Sequence, residues 1–158
     1  MKLQNFTKLV ESLDLTKTDK TVFKRKSVGC IILTKDLRIL LQMRDENRSF
    51  PGCLSTFGGG IEAGEEPIQT LVRELYEELE VDVNESEIVN LGAITDAVSK
   101  YTELVYVYFW HDHLGTITGC YEGSPLYFDN IESAITHPKV MDYVRWLLEK
   151  CKNRGLLT

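Results

Sequence analysis

A chain of 158 residues, 43% of them hydrophobic, can bury one core and falls short of two comfortable domains. Its net charge of −6 is unevenly divided: residues 1–26 hold seven Lys or Arg against three Asp or Glu (+4), and the rest hold eleven against twenty-one (−10). An acidic body disfavours a nucleic-acid polymer as partner, and the longest apolar run, Val28 to Leu33, is far short of the roughly 18–20 residues that span a bilayer.

The N-terminus carries no signal-peptide core, and Cys30, Cys53, Cys120 and Cys151 form no CxxC pair, so idle thiols in a reducing cytoplasm are expected. Residues 1–21 read as an N-terminal extension packed on a domain formed by residues 22–158. Within the extension, Phe6, Leu9, Val10 and Leu13 recur at helical spacing, which predicts a short packing helix over Asn5–Leu13. Val22–Leu33 reads as a strand, closed by the turn signal Thr34-Lys35-Asp36 and followed by a second strand at Arg38–Met43. Arg44–Ser49 is a polar loop, and Leu54–Phe57 leads into a glycine-rich loop, Gly58-Gly59-Gly60.

A helix over Glu66–Glu80 comes next. At about 100° per residue, Thr70, Glu74, Glu77 and Glu78 share one face, with Arg73 and Glu66 on its flank. Leu71, Leu75, Ile68, Leu79 and Val72 take the adjoining arc, which packs inward. Three carboxylates at i, i+3 and i+4 repel one another, so this face is either solvated or covered by a cation. A hard divalent metal takes oxygen ligands from carboxylates and phosphates. Glycines permit close backbone approach to such a ligand, and the glycine lead-in beside the acidic face favours the metal reading. Further on, Ile88–Ile94 and the aromatic, β-branched Glu103–His111 are strands. Pro138–Cys151 is an amphipathic helix with Pro in its first turn and Val140, Val144, Leu147 and Leu148 inward.

Taken together, Gly59, Glu65, Arg73-Glu74-Leu75-Tyr76-Glu77-Glu78 and the apolar Val81 resemble the Nudix box, the signature of enzymes that hydrolyse nucleoside diphosphates linked to another group. One letter departs: the Gly that precedes the closing apolar residue is Glu80. Glycine there suits a left-handed helix end, so Glu80 is expected to alter the helix exit and leave the acidic face intact.

The resemblance implies an α/β fold: a Nudix-type α/β/α sandwich with a mixed central sheet, the box helix after the Gly-rich loop, and a C-terminal helix. It implies Mg²⁺ as cofactor, with Mn²⁺ as a substitute, held by Glu74, Glu77, Glu78 and the Gly58 carbonyl. Arg73 matches the arginine that holds those carboxylates, and Glu65 the loop glutamate near the metals. Glu122, in Tyr121-Glu122-Gly123, falls where MutT-type members add a metal-binding glutamate; a solvated turn Glu is the alternative. Arg44 matches a strand-end arginine that meets substrate phosphate, the alternative being a surface arginine beside Asp45 and Glu46. The general base is expected to be Glu74 or Glu77.

The implied substrate is a small-molecule nucleotide, best a nucleoside triphosphate cleaved to a monophosphate and pyrophosphate. A nucleotide sugar or other NDP-X is the alternative, and a catalytically silent nucleotide sensor is the alternative of another class. Membrane and nucleic-acid partners are not expected, and the sequence bears no signature of oligomeric state. His137 falls where oxidised-guanine enzymes of this type carry a base-reading Asn, and an imidazole lacks an amide's paired donor and acceptor; a capping or surface role is its alternative. Tyr106, Tyr108 and Trp110 suit base stacking or the core.

Overall fold

The strand Arg25–Leu33 (β2) is the spine of the molecule, with Val28 and Cys30–Ile32 buried between two helical layers. In the computed structural model, which describes residues 6–158, the other strands are Val10–Leu13 (β1), Ile39–Met43 (β3), Leu54–Ser55 (β4), Phe57–Gly60 (β5), Val89–Asp96 (β6), Glu103–His111 (β7) and Ser124–Phe128 (β8). The helices are Pro67–Leu79 (α1), Ile131–Ile135 (α2) and Asp142–Asn153 (α3). The sheet runs β1-β6-β7-β2-β3-β4, with β5 also on β2 and β8 also on β3. It is mixed, because β2 and β7 lie parallel from Arg25↔Glu103 to Leu33↔His111 while the other strand pairs are antiparallel.

Alternation along β2 sorts its side chains between two apolar layers. Val28, Cys30 and Ile32 meet Leu71, Leu75 and Leu79 of α1, whereas Ile31 meets Val144, Leu147 and Leu148 of α3. The result is an α/β/α sandwich. The aromatic strand is absorbed into these layers: Tyr108 and Trp110 are buried under α1, with Tyr106 packed against them.

Three local expectations are corrected. Val10–Leu13 is a strand on β6 instead of helix, while residue 5 lies outside the described residues. Val10 and Leu13, three positions apart, point to opposite faces of the sheet and each finds its own apolar layer, so a strand between two cores mimics helical spacing. Pro138 is outside the C-terminal helix. The segment before α3 is instead extended against Leu54, whose N–H donates to Lys139 O at 2.8 Å and whose O accepts from Met141 N at 3.1 Å.

The third correction is the exit of α1. Glu80 adopts φ 54°, ψ 40°, the left-handed conformation glycine would take, and its N–H donates to Tyr76 O at 2.8 Å. The helix end is therefore unaltered, and Glu80 carries the strain of a side chain in that region. Glu80→Gly is expected to stabilise the protein by up to about 1 kcal/mol, read as a raised midpoint in urea unfolding with unchanged slope.

Candidate active site

Two glycines let β5 lie close to its neighbours, Gly58 against β2 and Gly59 against α1. A Cβ on Gly58 would lie 2.0 Å from Val28 O of the paired strand, and one on Gly59 would lie 2.5 Å from Glu74 Oε1. The expected glycine loop is thus a strand, and its bare backbone is the surface on which the box carboxylates rest. Helix α1 begins with Glu66 and Gln69 in a reciprocal capping box and Pro67 just inside, which fixes the helix's start and hence the angle of its acidic face.

Glu78 is the deepest of these carboxylates, at 1% exposure. Gly58 N donates to its Oε1 at 2.8 Å and Gln42 Nε2 to its Oε2 at 3.1 Å. Carboxylate oxygens of Glu74, Glu78 and Glu122 lie within 4.8 Å of one another. Burial, and then the nearby Glu122 charge, push the Glu78 carboxyl up to about 9, and burial likewise raises Glu74. Three acidic groups at such separations, one buried and with only neutral donors bound to it, form an all-oxygen donor set that fits a hard divalent ion. Glu77 lies outside this set; its side chain is 54% exposed and leans on Arg73 at 3.3 Å.

In the metal-free protein Glu78 binds its proton more tightly folded than unfolded. The stability it contributes is complete below its ordinary value of 4.5 and is lost as pH rises toward about 9. The unfolding temperature of metal-free protein is expected to fall across that interval, and added Mg²⁺ to restore more of it at each higher pH. A flat profile would remove the claim that Glu78 is strained by its charge.

Arg73 gathers the flank. Its Nε and Nη2 form a fork on Glu65 at 2.8 and 2.9 Å, Nη1 donates to Glu74 at 3.0 Å, and Nη2 also donates to Gly60 O at 3.2 Å. Glu65 further accepts from Glu62 N and Thr70 Oγ1, and these bonds, that from Arg73 foremost, hold its carboxyl down at about 2. A carboxylate so committed is a poor base and a good anchor.

Beside the carboxylates opens a cavity of about 360 Å³, bounded at this end by Gln42, Gly58 and Gly59. Arg44 lines it, with Nε and Nη2 bound to Ser49 O and Oγ at 2.5 and 2.9 Å. Arg48, absent from the sequence reading, lines it too and pairs with Glu122, so the loop after β3 is tied directly to the acidic trio. Gln42 is the other missed residue, since its Nε2 joins Glu78 to the Glu122 carbonyl (2.7 Å). His137 does not line the cavity: its ring packs edge-on against Phe128, and its Nδ1 accepts from Lys139 N, as in a local cap. Tyr106, Tyr108 and Trp110 do not line it either.

The model of the NUDIX domain matches residues 23–141. A dihydroneopterin triphosphate diphosphatase from Haemophilus influenzae is 32% identical over 98 residues, covering 61% of this chain and only 58% of that protein. Among solved structures, the ORF135 protein of E. coli superposes with a TM-score of 0.64 at 24% identity, covering 87% of this chain and 95% of that one. The NUDIX domain of Shewanella oneidensis NrtR, solved with ADP ribose, gives 0.65 at 21% identity, covering 89% and 96%. At these identities the structures establish the fold alone. No helix among the described residues is long and apolar enough to cross a membrane.

Proposed function

This chain belongs to the Nudix hydrolase family, and from that premise we propose that it cleaves a nucleoside triphosphate, or a compound built like one, to a monophosphate and pyrophosphate with Mg²⁺. The observation that carries the reading is the convergence of Glu74, Glu78 and Glu122 beside a cavity edged by Arg44 and Arg48. Glu74, Glu78, Glu122 and the Gly58 carbonyl are the proposed ligands, with Glu77 swinging in from solvent to complete them. Bound there, Mg²⁺ (or Mn²⁺) would draw charge from the phosphate oxygens and acidify a water.

The chain's own groups supply the rest. Arg44 and Arg48 present planar forks suited to phosphate oxygens. Arg48, now paired with Glu122, would be free for that task if Glu122 held a cation instead. Arg73 and Glu65 orient the helix carboxylates, and Glu74 or Glu77 takes the proton of the attacking water. The name of the Haemophilus relative supports a triphosphate with a fused-ring head, and the ADP ribose of the Shewanella domain supports an NDP-X as the second reading. A silent sensor has no use for a full carboxylate set.

The test is a panel of nucleoside triphosphates, neopterin triphosphate, ADP ribose and nucleotide sugars with Mg²⁺, the products read by phosphorus NMR. Pyrophosphate and a monophosphate from triphosphates alone are expected. Orthophosphate as the sole phosphorus product, or cleavage confined to NDP-X compounds, would overturn the proposal.

A further inference from the structure

Across the sheet from β3, whose end leads into Arg44 and Arg48, the cavity is lined from β6, β7 and β2 by two carboxylates, Asp96 and Glu103, and by Arg25, a wall with more acceptors than polyphosphate calls for. Asp96, at the end of β6, is only 8% exposed and lines the cavity. Its Oδ1 accepts from Ser99 N at 3.0 Å, while Oδ2 has no hydrogen-bond partner among the described residues. Glu103, its neighbour on that wall, accepts from Arg25 Nε (2.9 Å) and Ser27 Oγ (2.7 Å) through Oε2 alone. Asp96 Oδ2 is not among the buried atoms left without a partner, so on a residue otherwise 8% exposed it is an acceptor open to the cavity and free to take a donor from a ligand there.

Phe50 (47% exposed) and Val98 (45%) both line the cavity, and Phe50 is held at φ 53°, a left-handed conformation unusual for a bulky residue. Exposed apolar side chains on the lining of an otherwise polar cavity suit a flat ring whose face is covered and whose edge is read.

A carboxylate only accepts, so the edge it reads must carry adjacent donors. Adenine and cytosine offer an amine beside a bare ring nitrogen, and uracil one ring N–H between two carbonyls. Guanine offers a ring N–H beside an exocyclic amine, and so does a pterin. Arg25 adds N–H donors to the same wall, the complement of the oxo group next to that ring N–H.

We propose that Asp96, seconded by Glu103 and Arg25, reads the 2-amino-4-oxopyrimidine edge shared by guanine and pterins, and thereby selects the triphosphate that is hydrolysed. This rests on the triphosphate reading above and is separable from it, because binding is measured without turnover. Titration calorimetry with Mg²⁺ and α,β-methylene triphosphates of guanosine, inosine and adenosine supplies the measurement. Inosine lacks only the amine, so it should bind about tenfold or more weakly than guanosine, and adenosine more weakly still. Asp96→Asn preserves the Ser99 bond through its amide oxygen and should bring guanosine and inosine to within about twofold.

Equal binding of guanosine and inosine by the unaltered protein would overturn the proposal, with no variant needed. Guanosine preference that survives Asp96→Asn would also overturn it. The ratio of kcat/KM for GTP and neopterin triphosphate then tells which source of the edge is used, and a preference for either over ATP fits. Guanosine preference with no hydrolysis would sink the enzymatic reading and leave this one standing; hydrolysis of all bases alike would do the reverse.

Discussion

Glu78→Gln is expected to lower kcat/KM by about 10³-fold while the metal-free protein keeps, or gains, stability. The two effects share one cause. Glu78 is buried with its carboxyl pushed up to about 9, so its charge is a liability to the fold in the absence of a cation and an asset in its presence. Gln has the same shape and no charge. Its amide satisfies one of the two donors, Gly58 N or Gln42 Nε2, and meets the other with an N–H, a modest loss set against relief of desolvation. What the substitution removes is the negative ligand at the centre of the trio, and several kcal/mol of transition-state charge stabilisation is the usual worth of a catalytic divalent ion. Turnover of the preferred triphosphate, and unfolding temperature with and without Mg²⁺ at pH 8, give both halves. Near-normal turnover, or an undiminished Mg²⁺ shift, would remove Glu78 from the proposed metal site.

The layout of the acidic face was legible because it depends on one local period. Once Pro67–Leu79 is helical, Glu74 and Glu78 must share a face, and Leu71, Leu75 and Leu79 must turn inward. The glycines were legible as a place of close approach, though not as a strand: what approaches Gly59 is Glu74, fifteen residues on, and only the fold brings it there. Short elements were missed because they have no period of their own. Ser124–Phe128 carries a Pro at an edge, and Ile131–Ile135 is little more than one turn held by the Asn130 cap.

The cavity was the least legible part. Arg25 and Glu103 face one another through the parallel register of β2 on β7, 78 residues apart, and neither stands in a motif. Asp96 looks like a strand-end turn residue, which it also is, since it caps Ser99. His137 is the converse, a residue at the position the family resemblance singles out whose neighbours are Phe128 and Lys139. Motif spacing reports chemistry that lies along one element; specificity assembled between strands leaves almost no trace in the linear order.

Arg73→Gln should lower kcat about 100-fold, with a fall of several degrees in the unfolding temperature that Mg²⁺ partly reverses. Arg73 stands among Glu62, Glu65, Glu74 and Glu77 and gives at least one N–H to each of the last three. A neutral amide cannot offset four carboxylates, and it lacks the fork that fixes Glu65 and the third arm that fixes Glu74. Glu65, held down at about 2 by its bonds and above all by that from Arg73, would lose its main partner. Glu74 would be free to move by an ångström or so, and misplacement on that scale costs about 10² in rate. Arg73→Lys separates charge from geometry: it restores the positive charge without the fork, so it should recover most of the unfolding temperature and little of kcat. Full recovery of kcat by Lys would mean that Arg73 contributes charge alone, and the orienting role assigned to it and to Glu65 would fall.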